Sequence, residues 1–302
     1  MGKNNRIFCF GEVLWDEVDG DDFPGGAPLN VAYHVAKDAY FDVYMISSVG
    51  TDAAGGRMLS LMEGWSIDAR FVQSNEDYPT GRVIADVSDK NNVSYDILQP
   101  VAWDYIREDD RLDGFLPKNA CLIFGSLACR HAVSKQTLFK LLSRPCYRVF
   151  DINLRGDYYG SQTLSELLSN ADLLKINREE LAEVMRLLLP AVAPTSERDQ
   201  LRALMKHFGV KEAIVTRGAD GAGYYTVDGC VDVAGVAVSV VDTIGCGDAF
   251  LATFLRHRLT GTTVEAALAS AVLTGAFIAT KKGGCPAYAL ADLEVFTKDN
   301  LR

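Results

Sequence analysis

Short runs that are apolar at successive positions recur through the first two thirds of the chain, at residues 7–10, 43–47, 121–124, 148–152, 173–176 and 213–216. Between most of them the apolar spacing lengthens to that of an amphipathic helix, over residues 29–38, 56–63, 135–142, 179–188 and 197–208. Strands apolar on both faces must be covered on both, so their alternation with helices predicts a mainly parallel sheet sandwiched between helices, an α/β fold. Two helical segments rich in Ala, Leu and Thr close the pattern, at 247–257 and 264–280.

One region breaks the rhythm. Residues 80–98 read as two alternating segments around the turn-forming Asp89-Lys90-Asn91-Asn92, a β-hairpin signal. Residues 15–24, with Asp19-Gly20-Asp21-Asp22, are a candidate for a second. A small antiparallel sheet on a large α/β body would make a lid, although a surface hairpin without a task gives the same pattern. No internal repeat and no Pro- or Ser-rich linker divides the chain, which reads as one domain over 1–302 with the lid at about 15–24 and 79–102.

Composition narrows the function classes. Apolar residues make up 48% and charged residues 23%, which excludes disorder and collagen-like structure. A net charge of −10 argues against a nucleic-acid surface, yet leaves room for an anionic small ligand held by backbone N–H groups. The cysteines (9, 121, 129, 146, 230, 246 and 285) form no CxxC pair and have no histidine at metal spacing, so neither a zinc site nor a disulfide framework is expected. Free thiols in a chain of this size point to a reducing compartment, the cytoplasm. The N-terminal apolar run at 7–10 is a strand and not a signal-peptide core, and no run approaches the ~20 residues of a membrane span, so no membrane partner is expected.

Five motifs carry chemistry. In Asp242-Thr243-Ile244-Gly245-Cys246-Gly247-Asp248 small residues lie between an extended β-branched run, 236–241, and a helical pattern. Strand, tight turn and helix start form an anion cradle, with the N–H groups of Gly245, Cys246 and Gly247 and the helix dipole converging on one point. Asp248, in the first helical turn, would be placed to take a proton from an attacking hydroxyl. The alternative is a capped turn followed by an ordinary helix-start acid. Gly25-Gly26-Ala27-Pro28-Leu29-Asn30 lets the backbone approach a ligand and puts Asn30 on a first turn, as any helix-opening loop would. Asp151-Ile152-Asn153-Leu154-Arg155 falls at the carboxyl end of a strand, where open α/β sheets bind ligands. Lys175-Ile176-Asn177-Arg178-Glu179-Glu180 runs from strand into helix, and Asn177 with Glu180 also fits a capping box. The glycines of Thr216-Arg217-Gly218-Ala219-Asp220-Gly221 suit a tight turn or a hairpin. No P-loop, no strand-linked GxGxxG and no GxSxG elbow occurs.

These motifs, in this order over nearly the whole chain, resemble the PfkB or ribokinase-like carbohydrate kinases. The resemblance implies a ribokinase-like, Rossmann-type sandwich with a β-sheet lid, using ATP and Mg²⁺ and often K⁺. It implies Asp248 as catalytic base and Gly245, Cys246 and Gly247 as anion hole. Asp16, Gly25, Gly26 and Asn30 would hold the sugar, with Asn153, Arg155 and, from the lid, Arg82. Lys175, Thr216, Gly218 and Gly221 would serve the nucleotide, Asn177 and Glu180 the Mg²⁺ through water or phosphate, and Asp242 and Ile244 the monovalent cation. Cys246 departs from the family's usual Ala or Gly, and a thiol there would bear on oxidation sensitivity.

Gly25 to Asn30, Pro79-Thr80-Gly81, Ala102-Trp103-Asp104 and Asp151 to Arg155 are most similar to fructokinases. The expectation is therefore phosphoryl transfer from ATP to a sugar hydroxyl, with fructose ahead of ribose or 2-keto-3-deoxygluconate. A non-catalytic sugar- or nucleotide-binding module is the competing class. The open edges of a lid sheet favour a homodimer paired through it.

Overall fold

The computed structural model describes residues 5–18, 20–86, 94–192 and 196–300. Its strands are β1 (Arg6–Phe10), β2 (Leu14–Val18), β3 (Asp21–Gly25), β4 (Asp42–Gly50), β5 (Ile67–Asn75), β6 (Gly81–Asp86), β7 (Ser94–Ile97), β8 (Cys121–Gly125), β9 (Tyr147–Asp151), β10 (Leu173–Asn177), β11 (Glu212–Thr216), β12 (Ala222–Thr226) and β13 (Cys230–Val233). Its α-helices are α1 (Ala27–Ala36), α2 (Ala53–Gly64), α3 (Ala132–Leu142), α4 (Ser161–Leu168), α5 (Arg178–Leu188), α6 (Glu197–Phe208), α7 (Cys246–Leu259), α8 (Val264–Ala279) and α9 (Leu290–Asn300).

The apolar runs form the middle of a nine-stranded sheet of order β13-β12-β11-β10-β9-β8-β1-β4-β5. It is parallel from β5 to β11, and β12 and β13 add antiparallel to one edge. Successive side chains of a strand point to opposite faces, so the runs supply two cores at once. Phe8, Phe10, Phe124 and Phe150 pack beneath Leu138, Leu164, Leu181 and Leu201 of α3 to α6. Ile7, Cys9, Ile123 and Val149 pack beneath Leu29, Met58, Leu251 and Leu268 of α1, α2, α7 and α8. Each fully buried Leu, Ile or Phe contributes about 1.5–3 kcal/mol, enough to fix the register of a sheet whose strands are short.

The second sheet, β3-β2-β6-β7, is the expected lid. Both hairpins exist as antiparallel pairs, β2 with β3 and β6 with β7, while β2 and β6 join them in parallel. The turn proposed at 89–92 lies outside the described residues. At the lid's base Asp52 caps α2 through Gly55 N–H and accepts from Thr80 N–H and the Thr80 hydroxyl, at 2.8, 2.9 and 2.6 Å. That gives Pro79-Thr80-Gly81 a structural task.

The pattern did not mark β5, α4 or α9. β5 is an edge strand largely half-exposed and α9 has no fully buried residue, so neither presents a clean apolar period; α4 carries one, Leu164, Leu167 and Leu168, but over only eight residues. One expectation fails. Residues 236–241 form no strand: Val240 and Val241 are 61% and 65% exposed, and Val241 N–H donates to Ala279 O at the end of α8. A β-branched run becomes a strand only where a neighbour completes its ladder, and here the chain leaves the sheet after β13.

Candidate active site

A cleft of about 820 Å³ lies between the lid and the carboxyl ends of the parallel strands. Each strand delivers its contribution at or just past its last residue. Glu12 follows β1, Asn153 and Arg155 follow β9, Asn177 ends β10 and Thr216 ends β11, and all line the cleft. The lid closes the opposite side with Leu14, Asp16, Val83 and Ile97. Asp16 and Val83 pair in register, as do Val83 and Ile97, so period-two alternation puts them on one face.

Gly245 opens α7 with φ 75°, a left-handed conformation that suits glycine. A Cβ there would meet Gly284 Cα at 2.5 Å. Gly245 and Gly247 line the cleft and Cys246 does not. The Cys246 N–H turns back to Thr243 O at 3.3 Å, so the expected three-residue cradle rests on the two glycines and the opening of α7. Burial raises the Cys246 thiol to about 11, and its Sγ points at Asp242 O, 3.8 Å away. A neutral thiol so placed is a filler of space and not a reactive group.

Asp248 sits in the first turn of α7 with Asn30 Nδ2 donating to its Oδ2 at 2.8 Å. Burial raises its pKa to about 6 and the Asp151 charge adds to that, while Lys175, the Asn30 hydrogen bond and Arg155 oppose. A carboxylate titrating there is largely ionised at neutral pH yet far more basic than a surface aspartate. Asn30 is placed by α1, whose first turn carries Pro28 behind Gly26 at φ 107°. A Cβ on Gly26 would strike Glu12 O at 2.3 Å, and one on Gly25 would strike Asp16 Oδ2 at 2.1 Å, so both glycines are spatial necessities.

Lys175 is buried against Asp151, with Nζ at 2.8 and 2.7 Å from its two oxygens. Burial alone would lower the ammonium's pKa, but Asp151, Asp248 and Glu180 outweigh it and the pKa rises. A Cβ on Gly247 would lie 3.2 Å from Nζ, so the ammonium faces the opening of α7. Thr216 and Gly218 line the cleft; Gly221 lies behind them at φ 92°, pressed on Val233 and Gly235. The loop is both a nucleotide-loop candidate and the β11–β12 hairpin turn.

Asn177 and Glu180 form the capping box of α5, and Glu180 Oε1 also accepts from Leu154 N–H at 3.0 Å. That bond supports Asn153 in the left-handed region at φ 39°, a conformation asparagine tolerates better than most residues. Both Glu180 oxygens are thus engaged, but each keeps a lone pair beside the cleft, which fits contact with an ion through water. Asp242 is outside the cleft. Its carboxylate accepts from Ile244 N–H and Gly283 N–H, at 3.0 and 2.9 Å, and ties two loops together.

Arg82 does not reach the cleft. It neighbours Val83 and so faces outward, bonded to Glu17 and Asp22 at 3.1 and 2.9 Å. Asp22 also pairs with Arg57, whose guanidinium lies 4.4 Å over the Trp15 ring. Arg82 therefore belongs to the joint between lid and α2.

The cleft also holds residues the motifs did not single out. Glu12 is buried, its Oε2 without a hydrogen-bond partner among the described residues. Burial pushes its pKa up to about 7, against bonds from the Glu12 and Ala27 N–H groups. Its signal was an acid two residues past a strand end. Arg178, Arg217 and Asp220 also line the cleft, and Arg217 is held by Glu197, Asp232 and the Tyr225 hydroxyl.

The pfkB family carbohydrate kinase profile matches residues 4–289. The chain belongs to that family. Among curated proteins, this carbohydrate kinase is 26% identical over 308 residues to the fructokinase of Vibrio alginolyticus, covering 94% of this chain and 95% of that one. It is also 26% identical over 316 residues to the aminoimidazole riboside kinase of Salmonella typhimurium, covering 97% and 94%. Among solved structures, the fructokinase of Xylella fastidiosa with bound ATP superposes at a TM-score of 0.83 with 21% identity, over 98% of this chain and 99% of that one. The likeness shows the ribokinase-like fold of this sugar kinase.

Proposed function

We propose that this sugar kinase transfers the γ-phosphoryl group of ATP to a hydroxyl of fructose. The observation that supports this reading is one cleft that brings together Asp248, at the opening of α7, the polar side chains of Asp16, Asn30 and Arg155, and the Thr216–Gly218 loop. The sugar lies under the lid and the nucleotide runs from Thr216 and Gly218 toward Gly245 and Gly247. Asp248 accepts the proton as the hydroxyl oxygen bonds to phosphorus and the bond from phosphorus to the ADP oxygen breaks. Lys175 and the α7 N–H groups face the charge that develops on the transferred phosphoryl. The lid side chains Leu14, Val83 and Ile97 keep water from competing with the sugar. Asn177 and Glu180 would hold Mg²⁺ through water and phosphate, and the ion would supply neutralisation of phosphate charge. K⁺ is assigned to the loop of Asp242 and Ile244.

Fructose rests on the Gly25–Asn30 and Asp151–Arg155 motifs and on similarity to fructokinases. The aminoimidazole riboside kinase is equally similar, so the test is an ADP-release assay across fructose, ribose, 2-keto-3-deoxygluconate and aminoimidazole riboside. Fructose is expected to give the highest kcat/KM, and a preference for another acceptor overturns the assignment. All seven cysteines are free thiols, which favours a cytoplasmic location. The homodimer is assigned to the lid, where β3 and β7 are edge strands and Ile84 is exposed. A monomeric mass by light scattering refutes it.

A further inference from the structure

The segment after α8, residues 283–288, lies as a strap between α1 and the loop that opens α7. It is pinned at Gly283, Gly284, Pro286 and Tyr288. Gly283 N–H donates to Asp242 Oδ2 at 2.9 Å. The Tyr33 hydroxyl donates to Pro286 O at 2.6 Å and Lys37 Nζ to Tyr288 O at 3.1 Å. His34 is fully buried, and burial lowers its pKa to about 3, so its ring is neutral with one N–H. Nε2 must donate to Gly284 O, 2.9 Å away, because a carbonyl can only accept; Nδ1 then accepts from the Tyr288 hydroxyl, also at 2.9 Å.

This strap meets Asn30 at two points. A Cβ on Gly284 would sit 2.6 Å from Asn30 Nδ2, so glycine alone leaves the amide its place. The Cys285 Sγ lies 3.2 Å from Asn30 Oδ1, and burial keeps that thiol protonated, a donor. On its other side Asn30 faces Asp248, which when ionised only accepts. The two contacts agree: nitrogen toward the carboxylate, oxygen toward the thiol. We infer that the strap positions Asn30, and that the Cys285 thiol is the donor fixing which end of the amide is presented to Asp248 and the sugar.

This rests on the reading of Asp248 as the base, and it extends it. Without the thiol, the orientation with the amide oxygen against the carboxylate becomes accessible, and its repulsion disfavours the ionised base. The other charged or titratable groups facing Asp248 are Asp151 on β9, Lys175 on β10, Arg155 after β9, Glu12 after β1, Asp16 on β2 and Cys246 on α7. None of these changes in a Cys285 variant, so a shift in the acid limb of turnover reports Asn30.

The test compares Cys285→Ser, which keeps a donor, with Cys285→Ala and Cys285→Val, which do not; Val fills the volume, so a loss shared by Ala and Val is not a cavity effect. Two quantities are read with the best acceptor of the sugar panel: its Kd by calorimetry without nucleotide, and kcat against pH. Ala and Val are expected to weaken sugar binding, lower kcat roughly tenfold, the scale of one lost hydrogen bond to a charged network, and move the acid limb to higher pH, with Ser close to the parent. Ser behaving like Ala, or Ala keeping the parent's Kd and acid limb, overturns the inference. Asp248→Asn run alongside separates the two readings. Near-normal turnover there removes the base assignment, while the Ser-against-Ala contrast in sugar Kd still decides the strap.

Discussion

Two buried ion pairs of this kinase differ in how completely they are matched. Arg130 and Asp104, with side chains each 3% exposed, join through Nε to Oδ1 at 2.6 Å and Nη2 to Oδ2 at 2.9 Å. Leu98 O takes another guanidinium donor, Val101 N–H gives Asp104 Oδ2 a further bond, and the guanidinium lies 3.9 Å over the Trp103 ring. One charge answers one charge, so the pair is a fastening at the base of the lid. Lys175 and Asp151 are also buried, with side chains 10% and 5% exposed, but the single ammonium faces Asp151, Asp248 and Glu180 together. Glu12 and Asp16 add to the excess, raised by burial to about 7 and about 6. A fold keeps such an imbalance where a ligand completes it, and the contrast separates scaffold from site better than burial does.

The most severe way to break the contrast is Asp248→Asn. Turnover should fall ~10²–10⁴-fold while sugar binding survives. The melting temperature should be equal to or above the parent's, because a raised buried carboxylate is removed; a large fall in melting temperature would make Asp248 a fastening like Asp104. Next in size, Arg130→Met strands Asp104 without its partner and should cost about 3–5 kcal/mol of stability in denaturant unfolding. The same substitution with intact stability would show the pair to be dispensable.

A pH series sharpens the difference without mutation. Asp248, Asp16 and Glu12 all have folded pKa values raised above their unfolded ones. Each binds its proton more tightly in the native state, so each favours folding at low pH, and that contribution is lost as pH rises from about 4, the unfolded value, through about 6 to about 7. Stability in that window should therefore decline with pH by these groups, and Asp248→Asn should flatten the slope. Turnover should move oppositely, rising through about pH 6 as Asp248 ionises. An acid limb unchanged in every Asp248 neighbour variant would detach it from the base. The smallest effect belongs to Arg82→Ala, a partly exposed pair expected to change stability by less than about 1 kcal/mol and leave the sugar KM alone. A rise in KM would return Arg82 to the substrate side.

Much was legible in the chain itself. Runs apolar on both faces, separated by amphipathic helices, determined a helix-covered parallel sheet, because only that arrangement buries both sides of every strand. Turn residues marked both lid hairpins, and the order of small residues and acids marked Asp248, Asn30, Asn177 and Thr216, since backbone approach to a ligand needs glycine and strand ends need polar residues. What only tertiary structure decided is how these side chains share charge and space. Period-two alternation gave Arg82 a face, but which face is inward depended on the neighbouring sheet. Residues 236–241 had strand chemistry and found no ladder. Glu12 was one acid among many until the packing of Gly26 and α1 buried it. Cys285 reads as an ordinary small residue, and it touches Asn30 only because the strap is pinned by Tyr33, His34 and Lys37 from a helix some 250 positions earlier. Local pattern follows from each residue's own preference for water or backbone geometry; pairing of distant polar groups depends on which surfaces the fold presses together, and no window of sequence contains both partners.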